Sequence, residues 1–221
     1  AAATIAVTYP HMNGIGGDAF WLIKKNGKKP VGISGCGYSA AKATVKWYEE
    51  RGITGEIPSR GGLSCLTVPG AVASWHKALS LVDNPMPLYD LLGSAIFYSK
   101  EGFAVTSNQA NCTNSKLNEL NTVKSFSDTF LVDGSAPKPG FLLKQNALCN
   151  TLETLVAEGL DSFYRGDLAE VHAEYLSKND SAISLKDFNQ FFATFVEPLK
   201  VKISKGELYN LPAPTQGVSS L

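Results

Sequence analysis

The sequence carries no net charge: twenty Lys and Arg balance twenty Asp and Glu over 221 residues. The lysines are scattered, so nothing supplies the field that gathers nucleic acid or an anionic membrane surface. No apolar run approaches the roughly 20 residues that cross a bilayer, and no membrane span is expected. Cysteine is scarce, and Cys36, Cys65, Cys112 and Cys149 include no C-x-x-C pair. That argues against a zinc ribbon, a thioredoxin-type centre or a disulfide scaffold. The four are expected to be mostly reduced and packed as small apolar side chains. His11, His76 and His172 lack the spacing of metal ligands, so no metal site is expected. Internal repeats and low-complexity linkers are missing as well.

What is present suffices for one domain over residues 1–221: 44% of residues are hydrophobic and 18% charged. A chain of this length can remove roughly 70% of its unfolded surface from water. Both ends read as cuts through structure. The first seven residues are already apolar with no cap ahead of them, and a new apolar stretch begins at the other end. The chain is therefore expected to be a fragment of a larger two-subunit fold.

Residues 1–7 read as the last turns of a helix packed on both sides, and Thr8 to Asp18 as a glycine-rich loop. The continuous run Ala19-Phe20-Trp21-Leu22-Ile23 reads as a buried strand. Asn26-Gly27 signals a hairpin turn into a second strand at 30–34. Helices are expected over 41–51, 71–81, 88–100, 145–158 and 168–178, with a partly helical stretch at 107–126. A short strand is expected at 65–68. Ser184, with Asp187 three residues on, forms a weak capping box. The alternation from Pro198 to Ile203 reads as a half-exposed strand that turns at Gly206 into 208–211. Glycines 14, 16 and 17 would free the backbone and allow close approach. A phosphate cradle wants the strand before the glycines and a helix after them; here the strand follows, which argues against nucleotide binding.

Specificity enters with blocks in order. Pro10-His11-Met12-Asn13-Gly14-Ile15-Gly16-Gly17-Asp18-Ala19-Phe20 comes first, then Thr67-Val68-Pro69-Gly70-Ala71-Val72-Ala73-Ser74-Trp75. Gly159-Leu160-Asp161-Ser162-Phe163-Tyr164-Arg165-Gly166 follows, then Ser184-x-x-Asp187-Phe188 with Glu197-Pro198. Leu211-Pro212-Ala213-Pro214-Thr215-Gln216-Gly217 closes the series. Together they resemble the gamma-glutamyltranspeptidase family across essentially the whole chain. The resemblance implies an α+β fold, the four-layer αββα sandwich of N-terminal-nucleophile hydrolases, with this chain as most of the large subunit. It implies an enzyme cut from one precursor, whose small subunit begins with a nucleophilic threonine using its own amino group as base. No threonine here sits in the family's Thr-Thr-His context, so no catalytic residue is expected in this chain and the chain alone should be inactive. The implied partners are the small subunit of the same precursor and a small-molecule amide or gamma-glutamyl substrate; no cofactor is implied. Localisation stays open, the cytoplasm slightly favoured over periplasm or secretion because the true N-terminus is missing.

One position departs from the family. Where its transpeptidases carry an arginine for the substrate α-carboxylate, alignment through Ala41-Lys42-Ala43-Thr44 places Cys36. Either another base substitutes, Arg60 being the nearest in sequence, or the substrate is not gamma-glutamyl. A branch with a small residue here, including cephalosporin-acylase-like and oxamate-hydrolysing enzymes, also resembles Thr215-Gln216-Gly217. Substrate contacts are therefore expected from Cys36, Tyr38 and Arg60. Each has a blander reading: steric choice in a tight turn, packing, and a surface ion pair, respectively. His11 is read as satisfying backbone, and Asp18 as bonding amides of its own loop. A catalytically inactive binding or structural member of the fold is the alternative.

Overall fold

Strand β1 (Ala19–Ile23) and strand β2 (Val31–Gly35) pair antiparallel with Trp21 opposite Ile33, joined at the turn where Gly27 takes φ 69°. The computed structural model that shows this pairing describes all 221 residues except the side chain of Lys124. The apolar run suggested burial on both faces, but the structure buries only one. Phe20 and Leu22 stay 37% and 43% exposed, while Ile33 is closed to solvent. A strand uses both faces only when layers cover both, and this chain lays helices on one.

The third strand of the sheet, β5 (Thr194–Val196), lies beside β2 in the order β1-β2-β5. It has no counterpart in the sequence pattern, because three residues are too few to display an alternation. Helix α1 (Ala2–Thr8) buries Ala3, Ala6 and Val7, but Ile5 is exposed, so it is packed on one side only. Helix α2 (Val45–Glu49) is shorter than the expected 41–51. Thr44 caps it by accepting the Trp47 N–H at 3.2 Å, and a tight turn precedes it. Helix α3 (Ala71–Leu79) lies against β1 and β2, where Trp21 Nε1 donates to Ser74 Oγ at 2.9 Å. Instead of a strand at 65–68 there is a single bridge, Ser39 to Thr67; the 3-10 turn Gly62–Ser64 and Pro69 leave no length for a ladder.

Helix α4 (Leu88–Glu101) packs on α1 and on α7 (Asn146–Glu158), burying Leu92 and Ala95 on one side and Leu152 and Leu155 on the other. Between them run the two-residue strands β3 (Phe103–Ala104) and β4 (Leu142–Leu143), and the helices α5 (Ser107–Leu120) and α6 (Lys124–Phe130). Helices α8 (Ser162–Arg165), α9 (Asp167–Lys178) and α10 (Leu185–Gln190) follow; Ser184 and Asp187 form the capping box expected of them. The hairpin of β6 (Leu199–Ile203) and β7 (Gly206–Asn210) forms as expected, but it exposes nearly every residue on both faces of β6.

Two smaller expectations also change. Of the four cysteines, all free, only Cys149 is buried, and Cys65 is exposed. Glycines 14, 16 and 17 adopt no positive φ, and a Cβ at 16 or 17 would meet nothing within 4 Å.

Tyr164, fully buried, ties the helical layer to the start of α3. Its hydroxyl donates to the Pro69 carbonyl at 2.7 Å and accepts the Ala73 N–H at 3.0 Å. Burial holds the phenol in its neutral form, far above the usual tyrosine range. Removing the hydroxyl leaves a buried donor and a buried acceptor unpaired. Tyr164→Phe in the whole protein should therefore lose about 1–3 kcal/mol of unfolding free energy. Urea unfolding checks this; a loss below about 0.5 kcal/mol would mean that the two groups find other partners.

Candidate functional site

The turn after β2, Ser34 to Ser39, is built by close backbone approach. A Cβ at Gly37 would stand 1.8 Å from the Val68 carbonyl oxygen, and one at Gly70 would stand 2.0 Å from that of Gly35. No other residue fits at 37 or 70 without the chains parting. The Val68 N–H donates to the Tyr38 carbonyl at 3.1 Å and the Ala40 N–H to Leu66 at 2.8 Å, so the turn is locked to the 66–70 segment. The glycine loop reaches the same place. Gly17 accepts the Gly70 and Ala71 N–H groups, both at 2.9 Å, and Asp18 Oδ1 accepts the Gly37 N–H at 2.9 Å. Asp18 thus bonds the Cys36 turn and not its own loop.

Cys36 is half-buried at the crown of this turn. Burial, then the hydrogen bond and negative charge of Asp18, push its thiol above the ordinary value. The thiolate is the nucleophilic form, so this environment suits a small neutral group and not an attacking sulfur. Tyr38 stands beside it, its ring tilted over Phe191 at 5.4 Å and its hydroxyl donating to the Asp187 carbonyl at 3.0 Å. Burial and the Asp187 charge push the Tyr38 phenol up.

Asp187 was legible only as a helix cap, but its reach is wider. One carboxylate oxygen accepts the Ser184 N–H at 2.8 Å and the Ser184 hydroxyl at 2.5 Å; the other accepts the Ala41 N–H at 2.9 Å. Burial opposes its charge. The Ser184 hydroxyl, the Ala41 and Ser184 amides and the Lys42 charge outweigh that and hold the carboxyl below the usual range.

Arg60 does not join Cys36 and Tyr38. Its Nε bonds Glu119 Oε1 at 3.1 Å, and it lines a pocket with Pro10, His11 and α5 that includes neither Cys36 nor Tyr38. His11 bonds a side chain and not backbone: its Nε2 lies 2.7 Å from Asn108 Oδ1. Thr215 shapes the turn read from the sequence, bonding the Leu211 and Pro212 carbonyls and accepting the Gly217 N–H. Among the described residues no group of three or more His, Cys, Asp and Glu could hold a metal, and no helix is long and apolar enough to cross a membrane.

Comparison with known proteins adds the following. The family model for gamma-glutamyltranspeptidase matches residues 1–221. The chain is similar to an oxamate amidohydrolase proenzyme of Klebsiella pneumoniae, 44% identical over 100% of this chain and 42% of that protein. It is also similar to a glutathione hydrolase-like proenzyme of Bacillus subtilis, 33% identical over 100% of this chain and 41% of that protein. The chain thus spans about two fifths of the length of these relatives. Among solved structures, the gamma-glutamyltranspeptidase of Pseudomonas nitroreducens complexed with L-DON superposes with TM-score 0.86 at 29% identity, over 98% of this chain and 63% of that one. A cephalosporin acylase of Bacillus halodurans does so with TM-score 0.86 at 29% identity, over 96% and 40%.

The Asp187 knot has a pH signature. A carboxyl whose folded-state pKa is depressed contributes stability in full above its unfolded value of about 4 and loses it as pH falls through the folded value. Asp187→Asn keeps the shape but turns an N–H toward groups that need an acceptor. The variant should lose about 1–3 kcal/mol at neutral pH and a share of the acid dependence below about pH 4. Urea midpoints of both proteins from neutral pH to pH 2.5 test this. Parallel decline of the two would assign the acid dependence to other carboxylates.

Proposed function

The chain belongs to the gamma-glutamyltranspeptidase family, with the α+β fold of N-terminal-nucleophile hydrolases, and we propose that it forms most of the large subunit of a self-processing amidohydrolase. In this reading residues 1–221 act as one domain of a larger two-subunit fold. The described residues contribute the three-stranded sheet β1-β2-β5, two separate two-stranded pairs, and helices that cover one face of β1 and β2. The apolar face with Phe20 and Leu22 is the place for a second sheet, supplied by the small subunit of the same precursor. Exposed strand faces of this kind are hazardous when left bare. The similar proteins are proenzymes by name, in keeping with such a precursor.

A small-subunit threonine hydroxyl would attack the amide carbon while its own amino group takes the proton; the C–N bond breaks, that proton passes to the departing ammonia or amine, and water then hydrolyses the threonine ester to release the acid. The task of this chain is substrate placement at the turn carrying Cys36 and Tyr38. The observation that carries the substrate reading is the charge at that turn: a neutral thiol beside the Asp18 carboxylate, with no guanidinium. In a gamma-glutamyl compound the α-carboxylate lies several carbons from the scissile carbonyl. It would meet an anion where it needs a cation, at a cost of several kcal/mol on the scale of truncated charge pairs, about 2–5. In oxamate the carboxylate is bonded directly to the amide carbon and does not extend to a distal subsite. A short amide therefore fits the turn, with hydrolysis favoured over transfer. Arg60, engaged with Glu119 in another pocket, offers no substitute cation at the turn.

Steady-state kinetics of the whole processed protein test the reading. Oxamate should exceed gamma-glutamyl-p-nitroanilide in kcat/KM by about ten-fold or more, equivalent to ~1.4 kcal/mol. The double variant Asp18→Gly, Cys36→Arg should narrow that gap. A clear preference of the unaltered protein for the gamma-glutamyl compound would overturn the substrate class. Normal processing with no turnover of any amide would favour the inactive binding member, which the missing arginine also fits. Residues 1–221 alone should show no turnover in the same assays.

A further inference from the structure

Asn13-Gly14, Asn26-Gly27 and Asp133-Gly134 each pair a side-chain carbonyl with a following glycine. Such pairs are chemically weak points. A glycine amide, unshielded by a Cβ and free in its dihedrals, can reach the carbonyl carbon of the preceding side chain and close a five-membered ring. Two of the three pairs are held in hydrogen-bonded turns. The Lys28 N–H donates to the Lys25 carbonyl at 3.1 Å across Asn26-Gly27, and the β1–β2 ladder closes the turn. Val132 and Ser135 exchange backbone hydrogen bonds of 2.9 and 3.0 Å across Asp133-Gly134. Ring closure in either turn requires the turn to open first.

Asn13-Gly14 is held differently. Both residues are exposed, and among the described residues the Gly14 N–H donates to nothing. The Asn13 N–H donates to the Tyr9 carbonyl at 3.1 Å, so the preceding turn ends at Asn13 and leaves the next peptide outside it. The Asn13 side-chain amide reaches the same carbonyl only at 3.5 Å, too long to hold it firmly. Solvent base can therefore reach the Gly14 amide, and no turn bond has to break before the peptide rotates.

We propose that Asn13 is a site of spontaneous deamidation, a modification independent of the reaction proposed above. The Gly14 nitrogen gives up its proton to solvent base and attacks Asn13 Cγ. The Cγ–Nδ2 bond breaks, and the nitrogen leaves as ammonia with a proton drawn from water, giving a cyclic imide. Water then opens the ring at either carbonyl, to aspartate or to isoaspartate. The sum is one water consumed and one ammonia released, with no oxidant or cofactor. Either product adds a negative charge to the loop whose Gly17 meets the start of α3 and whose Asp18 meets the Cys36 turn. Isoaspartate also lengthens the main chain of that loop by one methylene.

The test is peptide mapping by mass spectrometry of the whole processed protein, aged in mildly alkaline buffer, with electron-transfer fragmentation to tell aspartate from isoaspartate. Opening one turn hydrogen bond ahead of the attack slows it by about three- to ten-fold on the scale of a net intramolecular bond. In the folded protein Asn13 should therefore convert faster than Asn26 by that factor, and in urea the two rates should converge. Gly14→Ala fits the loop, since a Cβ there meets nothing nearer than the Gly16 nitrogen at 3.9 Å and the residue has no positive φ. That variant should slow conversion at Asn13 several-fold and leave Asn26 unchanged. No conversion at Asn13 in the folded protein, or a rate no higher than at Asn26, overturns the proposal. So does a rate ratio that persists in urea, which would trace the difference to flanking side chains and not to the fold, or conversion undiminished in Gly14→Ala.

Discussion

The first turn of α3 has no side chain of its own to cap it, and much of the molecule is arranged around that lack. Pro69-Gly70-Ala71 offers none of the Ser, Thr, Asp or Asn oxygens that usually accept the leading N–H groups of a helix. The acceptors come from elsewhere: the Gly17 carbonyl takes the amides of Gly70 and Ala71, and the Tyr164 hydroxyl takes that of Ala73. Buried backbone donors must be paired somewhere. One helix start therefore draws together the glycine loop, the turn after β2 and the hairpin of α8 and α9. The glycines at 37 and 70 follow, because segments meeting this closely leave no room for a Cβ.

That convergence fixes the electrostatics of the candidate site. Once Gly17 is pinned to α3, its neighbour Asp18 is delivered to the Gly37 amide, and its charge falls on Cys36. On the opposite side, Asp187 holds the chain after the turn by Ala41 while its carbonyl takes the Tyr38 hydroxyl. Two carboxylates brace a turn that presents a neutral thiol. The brace is structural in origin, and under the proposed function it would be selective in consequence, since a fixed anion discriminates among ligands by charge even where it touches none of them.

Much of the secondary structure was legible because its signals are local. Asn26-Gly27, the helices α4 and α7, and the Ser184–Asp187 cap each rest on signals within a few residues to a few turns, and each formed as read. The parts that were not legible depend on what lies across the fold. β5 is a strand because β2 has a free edge, and β1 is buried on one face because helices cover only that face. Cys36 and Tyr38 could be singled out only through family resemblance, since a thiol and a phenol in a turn carry no chemistry by themselves. Arg60 shows the limit of sequence proximity. It lies nearer in sequence than α5 to the turn it was meant to serve, yet Glu119 on α5 is its partner. Asp18 had been read as serving its own loop, and only the packing of Gly17 on α3 shows otherwise.

The fold itself does not select a substrate. A transpeptidase and an acylase, by their names, superpose on this backbone equally well, each with TM-score 0.86. Function on a shared fold is decided by the few side chains that meet the ligand. A guanidinium at the crown of the turn would attract a distal carboxylate; a thiol beside a carboxylate repels one. That reversal of sign requires no movement of the main chain. It is therefore invisible to any comparison of shape and open to one of charge.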